Sequence, residues 1–204
     1  GLSRDDFSEV FLFFDYDAHQ TNLGKSDDVD VINQMLESFD NETENGKLYI
    51  SYPMVEALRD FEAGKCGNGD NCFVEISDLA EYKNISSRNS LNPHFRDYNI
   101  DVWKEIVDVF SMRISCLLGN AEVISYEQYL DEANPHDIFM CEQALAGNNK
   151  VFIISAFPES LVDYFGMKLW RTCVKHAKNQ LDITISSTHN LINRFPTHSD
   201  SVIL

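Results

Sequence analysis

Residues 10–14 read Val-Phe-Leu-Phe-Phe and run directly into Asp15-Tyr16-Asp17. A short, unbroken apolar run rich in aromatic and β-favouring residues is the pattern of a strand covered on both faces, as in a parallel sheet. Such a strand needs helices on either side and a second strand beside it. That restricts the chain to an α/β arrangement.

The segments that follow fit this arrangement. Ser26 offers a helix cap, Asp27 and Asp28 suit the positive end of a helix, and Val29, Ile32, Met35, Leu36 and Phe39 recur at helical spacing. Residues 47–51 (KLYIS) form the next strand, and Pro53 starts a helix carrying Val55, Leu58 and Phe61. A stripe of Trp103, Ile106, Val107, Phe110, Ile114, Leu117 and Leu118 predicts a long helix over 101–118, closed by Gly119. Shorter helices open at Ser125 and at the Asn134-Pro135 pair, the second ending near Gly147. Residues 151–155 (VFIIS) make a third strong strand, and Pro158 opens a final helix.

The expected fold is α/β, a Rossmann-like parallel sheet flanked by helices, with a mostly helical insertion and a C-terminal helix. Residues 1–63 hold the first part of the core. Residues 64–148 form the insertion, irregular over 64–98 and then helical. Residues 149–180 return a strand and helix to the core, and 181–204 form a tail without a clear assignment.

Of the 204 residues, 44% are hydrophobic and 24% charged, which is globular rather than disordered composition. No apolar run reaches membrane-spanning length, so no membrane contact and a cytoplasmic setting are expected. The formal net charge of −17 disfavours non-specific coating of nucleic acid. Two stretches break that acidity. Residues 83–96 carry Lys83, Arg88, His94 and Arg96 without an acid. Residues 167–180 carry Lys168, Arg171, Lys175, His176 and Lys178, again without one. If the second stretch is helical, 168, 171, 175 and 178 share a face. Either stretch reads as a solvated surface or as a phosphate-contacting one.

The five cysteines are spread along the chain. Cys116, Cys141 and Cys173 fall within helical patterns as small core residues. Cys66 and Cys72 flank a Gly/Asn-rich loop, a spacing that suits half a metal site or a disulfide, but no second Cys/His pair follows at matching spacing.

The chemistry gathers at the carboxyl ends of the strands, where open α/β sheets bind ligands. Asp15 and Asp17 lie two apart on an extended segment and so face one side. Their mutual repulsion is relieved by a divalent cation, and oxygen donors suit Mg²⁺, with Mn²⁺ as the alternative. Glu56 adds a third carboxylate near a neighbouring strand end, or is a first-turn acid favoured by the helix dipole. His19 is a candidate base or phosphate contact, or a polar loop residue. Ser51 and Ser155 read as helix caps. Two stretches, 48–61 and 152–165, share an order of apolar strand, Ser, Pro, Glu, Leu, Asp and Phe. They predict two similar strand-to-helix turns.

The stretch FLFFDYDAH resembles the D-x-D strand motif of Toprim domains, and KLYISYPMVEAL resembles the Ser-x-Pro-x-x-Glu pattern of RloB-like Toprim effectors of bacterial antiphage defence, falling here on Ser51, Pro53 and Glu56. The likeness covers roughly residues 8–62 and more loosely the strand at 151–155. It implies a metal-dependent nuclease with Asp15 and Asp17 as Mg²⁺ ligands, DNA or RNA as substrate, and activation by a partner ATPase. Homo-oligomerisation is a further expectation. Lys83, Arg88, Arg96, Lys168, Arg171 and Lys175 are then the candidate phosphate contacts, with Glu56 and His19 joining the Asp pair in catalysis. Toprim catalysis also draws on a Glu after an earlier strand. Only about nine residues precede the first strand here, and Glu9 stands too close to Asp15 to serve. The expectation is that a preceding strand with that Glu lies outside a chain that begins with Gly. Two alternatives stand beside this reading. One is a haloacid-dehalogenase-like phosphatase with Asp15 as nucleophile, and the other is a non-catalytic, partner-binding subunit.

Overall fold

The computed structural model describes residues 3–16, 26–62, 66, 72–92 and 94–175. Asp17, His19, His176, Lys178 and the tail over 181–204 lie outside the described residues.

The first strand, β1 (Phe11–Asp15), pairs in parallel with β3 (Gly46–Ser51), in register from Phe11 opposite Lys47 to Asp15 opposite Ser51. Between them in sequence run helix α1 (Ser26–Ser38) and the two-residue β2 (Asp40–Asn41), which pairs antiparallel with the other side of β3. Leu36 is buried on α1, and Val29, Ile32, Met35 and Phe39 pack against the core as their spacing predicts. Gly46 opens β3 at φ +112°, with Val10 only 3.2 Å from where a Cβ would stand. A side chain there would be strained in its backbone and crowded against β1.

Past β3 the chain departs from the expected parallel sheet. Tyr52 and Ile154 form an antiparallel bridge, exchanging backbone hydrogen bonds of 2.8 and 3.0 Å. The late strand β5 (Lys150–Phe152) pairs antiparallel with β4 (Phe73–Glu75). The molecule is therefore mixed α/β with small sheets, and β1 with β3 is the parallel pair among the described residues. A strand's direction depends on the end of the sheet at which its connection returns. Its own residues do not encode that.

A second correction concerns β1. Its run was expected to be covered on both faces, yet Phe13 is 43% and Phe14 48% exposed. Among the described residues only β3 pairs with β1, so β1 lies at an edge. Phe13 is partly sheltered by stacking on Tyr49 and on Phe157, with ring centroids 5.8 and 5.1 Å away.

The helix expected after Pro53 is a 3-10 turn over Val55–Asp60. The region 64–98, expected to be irregular, contains β4 and helix α2 (Leu79–Asn89). That helix buries only Leu79, Tyr82 and Ser86, a face too polar to register as an amphipathic stripe.

The remaining helices follow their sequence signals. Helix α3 (Ile100–Leu117) is capped by Asn99, whose side chain accepts from the N–H groups of Asp101 and Val102. Its far end closes with Gly119 at φ +74°, the Asn120 N–H bonding the Ser115 carbonyl and the Gly119 N–H that of Cys116. Ser125 caps α4 (Tyr126–Glu132), and Asn134 with Pro135 opens α5 (Pro135–Ala146). Helix α6 (Ala156–Cys173) starts two residues before Pro158, capped by Ser155, and kinks at Gly166 with φ +63° and ψ −153°. One buried cluster runs from Tyr16 through β3, α3, α5 and β5 to Val174, so the middle of the chain supplies core as fully as its ends. No helix among the described residues is long and apolar enough to cross a membrane.

Candidate functional site

Asp15 ends β1 directly opposite Ser51 at the carboxyl end of the parallel pair. Its side chain is on the exposed side, while the next residue, Tyr16, is buried. Tyr16 donates its backbone N–H to the Ser51 carbonyl at 3.0 Å and packs its ring on Tyr52, centroids 5.0 Å apart. Its hydroxyl accepts from Gln143 of α5 at 3.0 Å, and burial pushes its pKa up to about 12. Tyr16 thus anchors the strand end, and Asp15 beside it is exposed. Asp17 and His19 lie beyond the described residues.

Both predicted cap serines serve one helix. Ser155 accepts from the Phe157 N–H at 3.4 Å, and the buried Ser51 hydroxyl accepts from the Ala156 N–H at 3.2 Å. Two of the N-terminal donors of α6 are satisfied in this way. Neither hydroxyl is presented as a nucleophile.

Glu56 is buried, and Lys83 of α2 reaches it with Nζ 2.7 Å from Oε1. Two residues expected to act separately, one in catalysis and one on phosphate, instead occupy each other. Lys175 is likewise engaged. Its Nζ lies 3.0 Å from the buried Asp108 carboxylate, and its backbone N–H donates to the same group at 2.9 Å. Because α6 ends at Cys173, Lys175 does not continue the helical face of Lys168 and Arg171. Those two are exposed, as are Arg88 and Arg96, the last lying 3.7 Å from Asp97. The expected basic stripe is therefore interrupted, and two of the six candidate phosphate contacts, Lys83 and Lys175, are held by buried carboxylates although all six stand at the surface.

Sequence reasoning missed a second polar centre at the opposite end of the parallel pair. Asp163 of α6 accepts from the hydroxyls of Tyr49 and Tyr129, each at 2.9 Å, and pairs with Lys47. This network lines a mixed polar groove of about 490 Å³ with Glu9, Glu42 and Tyr164. One helical turn before Asp163, Glu159 is 1% exposed and Oε1 has no hydrogen-bond partner. Burial first, and the neighbouring Asp163 charge second, raise its pKa well above the carboxylate range. Glu142 of α5 is equally buried and raised by desolvation, although Oε2 accepts the Phe152 N–H at 3.0 Å. In both, burial disfavours the charged form. The sequence signal available for Glu159 was its place beside Pro158, which reads as a first-turn acid.

Among the described residues, Cys66, Cys72 and Cys116 are the group of acids, histidines and cysteines close enough together to share one metal ion. Asp15 and Glu56 do not form such a group there with a third acid. No family model matches the chain, and searches of curated proteins and of solved structures likewise return no match.

Proposed function

We propose that this chain is a Toprim-like, Mg²⁺-dependent phosphodiesterase acting on a nucleic acid, with Asp15 and Asp17 as its metal platform. The observation that carries this reading is the outward-facing Asp15 at the carboxyl end of a parallel strand pair, held there by the buried Tyr16. The donor chemistry fits the ion at Asp15, because an exposed carboxylate oxygen is a hard ligand. Mg²⁺, or Mn²⁺ in its place, supplies charge neutralisation for a phosphate group. Asp15 and Asp17 orient it, and His19 takes a proton from attacking water. Arg88, Arg96, Lys168 and Arg171 remain as phosphate contacts. Glu56 is reassigned: with Lys83 against it, it stabilises the turn after β3.

The test is cleavage of single- and double-stranded RNA and DNA by the full chain with Mg²⁺ or Mn²⁺, beside Asp15→Ala, Asp17→Ala and the double variant. Metal-dependent cutting that the double variant loses by at least about a hundredfold supports the reading. Equal cutting by the double variant removes it. Hydrolysis of small phosphomonoesters without polynucleotide cleavage would favour the phosphatase in its place.

A second reading, a partner-binding subunit, is favoured by the exposed Phe13 and Phe14 on edge strand β1. A partner ATPase or a second copy of the chain would add to that edge. Light scattering of wild type and Phe14→Lys, alone and with a co-expressed ATPase, tests it. A complex that survives Phe14→Lys unchanged argues against docking at β1.

A further inference from the structure

Three cysteines distant in sequence converge. Cys116 lies in the last turn of α3, 50 positions after Cys66, and their Sγ atoms are 3.6 Å apart. The Cys66 and Cys72 sulfurs are 3.4 Å apart, and all three lie within 4.8 Å of one another. A disulfide requires about 2.05 Å, so these are separate thiols. Four sulfurs around a tetrahedral Zn²⁺, each about 2.3 Å from the metal, stand about 3.8 Å from each other. The two measured separations fall within a few tenths of an ångström of that edge.

The surroundings supply the charge such a site needs. Arg113, one turn before Cys116 on α3, is fully buried, with its guanidinium 4.9 Å from the centre of the Phe61 ring. It donates to the carbonyls of Ile153 and Asp60, each at 3.0 Å, which fixes a cation beside the cluster. Its field favours the thiolate of Cys116, whereas burial pushes that thiol up. The neighbouring cysteines and burial push Cys66 in the same upward direction. Three thiolates and a divalent ion carry a net charge of −1.

We propose that Cys66, Cys72 and Cys116 bind one Zn²⁺ as three thiolates, joining the chain beyond the 3-10 turn to the end of α3. Three thiol protons pass to solvent as the ion binds, and no redox change occurs. The metal is structural and separate from the Asp15 platform. Borderline-soft Zn²⁺ suits sulfur, whereas Mg²⁺ does not, so the two sites select different ions.

The experiment uses the full chain, reduced, stripped with a chelator and titrated with Co²⁺ and then Zn²⁺. One Co²⁺ per chain is expected, with near-ultraviolet thiolate-to-cobalt charge transfer that Zn²⁺ abolishes. Cys116→Ser should weaken binding at least about tenfold, since loss of outer-shell support alone reaches that size. Cys141→Ser should bind as wild type does. Wild type that shows no charge-transfer band at stoichiometric Co²⁺ overturns the proposal whatever the variants do. So does a Cys116→Ser chain that titrates like wild type, or selective uptake of copper with zinc refused.

Discussion

The stretches 48–61 and 152–165 share an order of residues but fold into different turns. After Ser51 the chain makes a 3-10 turn over Val55–Asp60, and after Ser155 it enters the eighteen-residue α6. Each turn buries a glutamate. Glu56 keeps a cation 2.7 Å away, whereas burial raises the pKa of Glu159 well above the carboxylate range although Lys47 acts against that shift. The strands feeding them differ too, β3 lying parallel to β1 and β5 antiparallel to β4. Similar local sequence thus did not set the element boundaries, and long-range partners decided the strand direction. The two turns are also physically joined, because Ser51 accepts from Ala156 and Arg113 holds carbonyls of both.

Arg113 gives the largest expected effect. Replacing it with Met strands the Asp60 and Ile153 carbonyls, and should lower unfolding stability by about 3 kcal/mol or more in a urea titration. An unchanged midpoint would break the idea that one side chain ties the two turns together.

Glu159 comes next, through pH. Its folded pKa is raised, so its contribution is fully present below the unfolded value near 4.3 and declines as pH rises towards the folded value. In that window it removes at most about 1.4 kcal/mol per pH unit, and Glu142 acts with the same sign. Glu159→Gln should flatten the decline in thermal stability from mildly acidic through neutral pH. A slope left unchanged in that variant would erase the special place given to the second turn.

Lys83→Met removes the cation from Glu56. The lysine is 69% exposed, so water compensates in part, and a loss of about 1–2 kcal/mol is expected by thermal melt. Double replacement with Glu56→Gln should recover most of that loss. The smallest effect belongs to the caps. Ser155→Ala should cost about 1 kcal/mol in chemical denaturation, and Ser51→Ala a comparable amount although it lies in the other turn. If Ser51→Ala left α6 unaffected, the cross-turn cap would lose its support.

The caps Ser125, Asn134 and Ser155 were legible because each acts on the residues immediately after it. The end of β1 at Asp15 was legible for the same reason. Coverage of β1 was not, since an apolar run reads the same at an edge as in the middle of a sheet. Helix α2 escaped because its inward face is Leu79, Tyr82 and Ser86 rather than a row of aliphatics. Within the site, the engagement of Glu56 by Lys83 joins two elements. Sequence spacing carries no record of that meeting. The same holds for Cys116, which falls at an ordinary helical position and gains meaning only beside Cys66.

The antiparallel bridge from Tyr52 to Ile154 closes a loop of about 100 residues, a large entropic cost to meet before its contacts are made. Once closed, neither flank can open alone without freeing the other's backbone. The amides of Tyr52 and Ile154 should therefore exchange with deuterium at one common, slow rate set by whole-molecule opening. A protease nick in the exposed turn around Asn120 should leave the two pieces associated until that opening occurs.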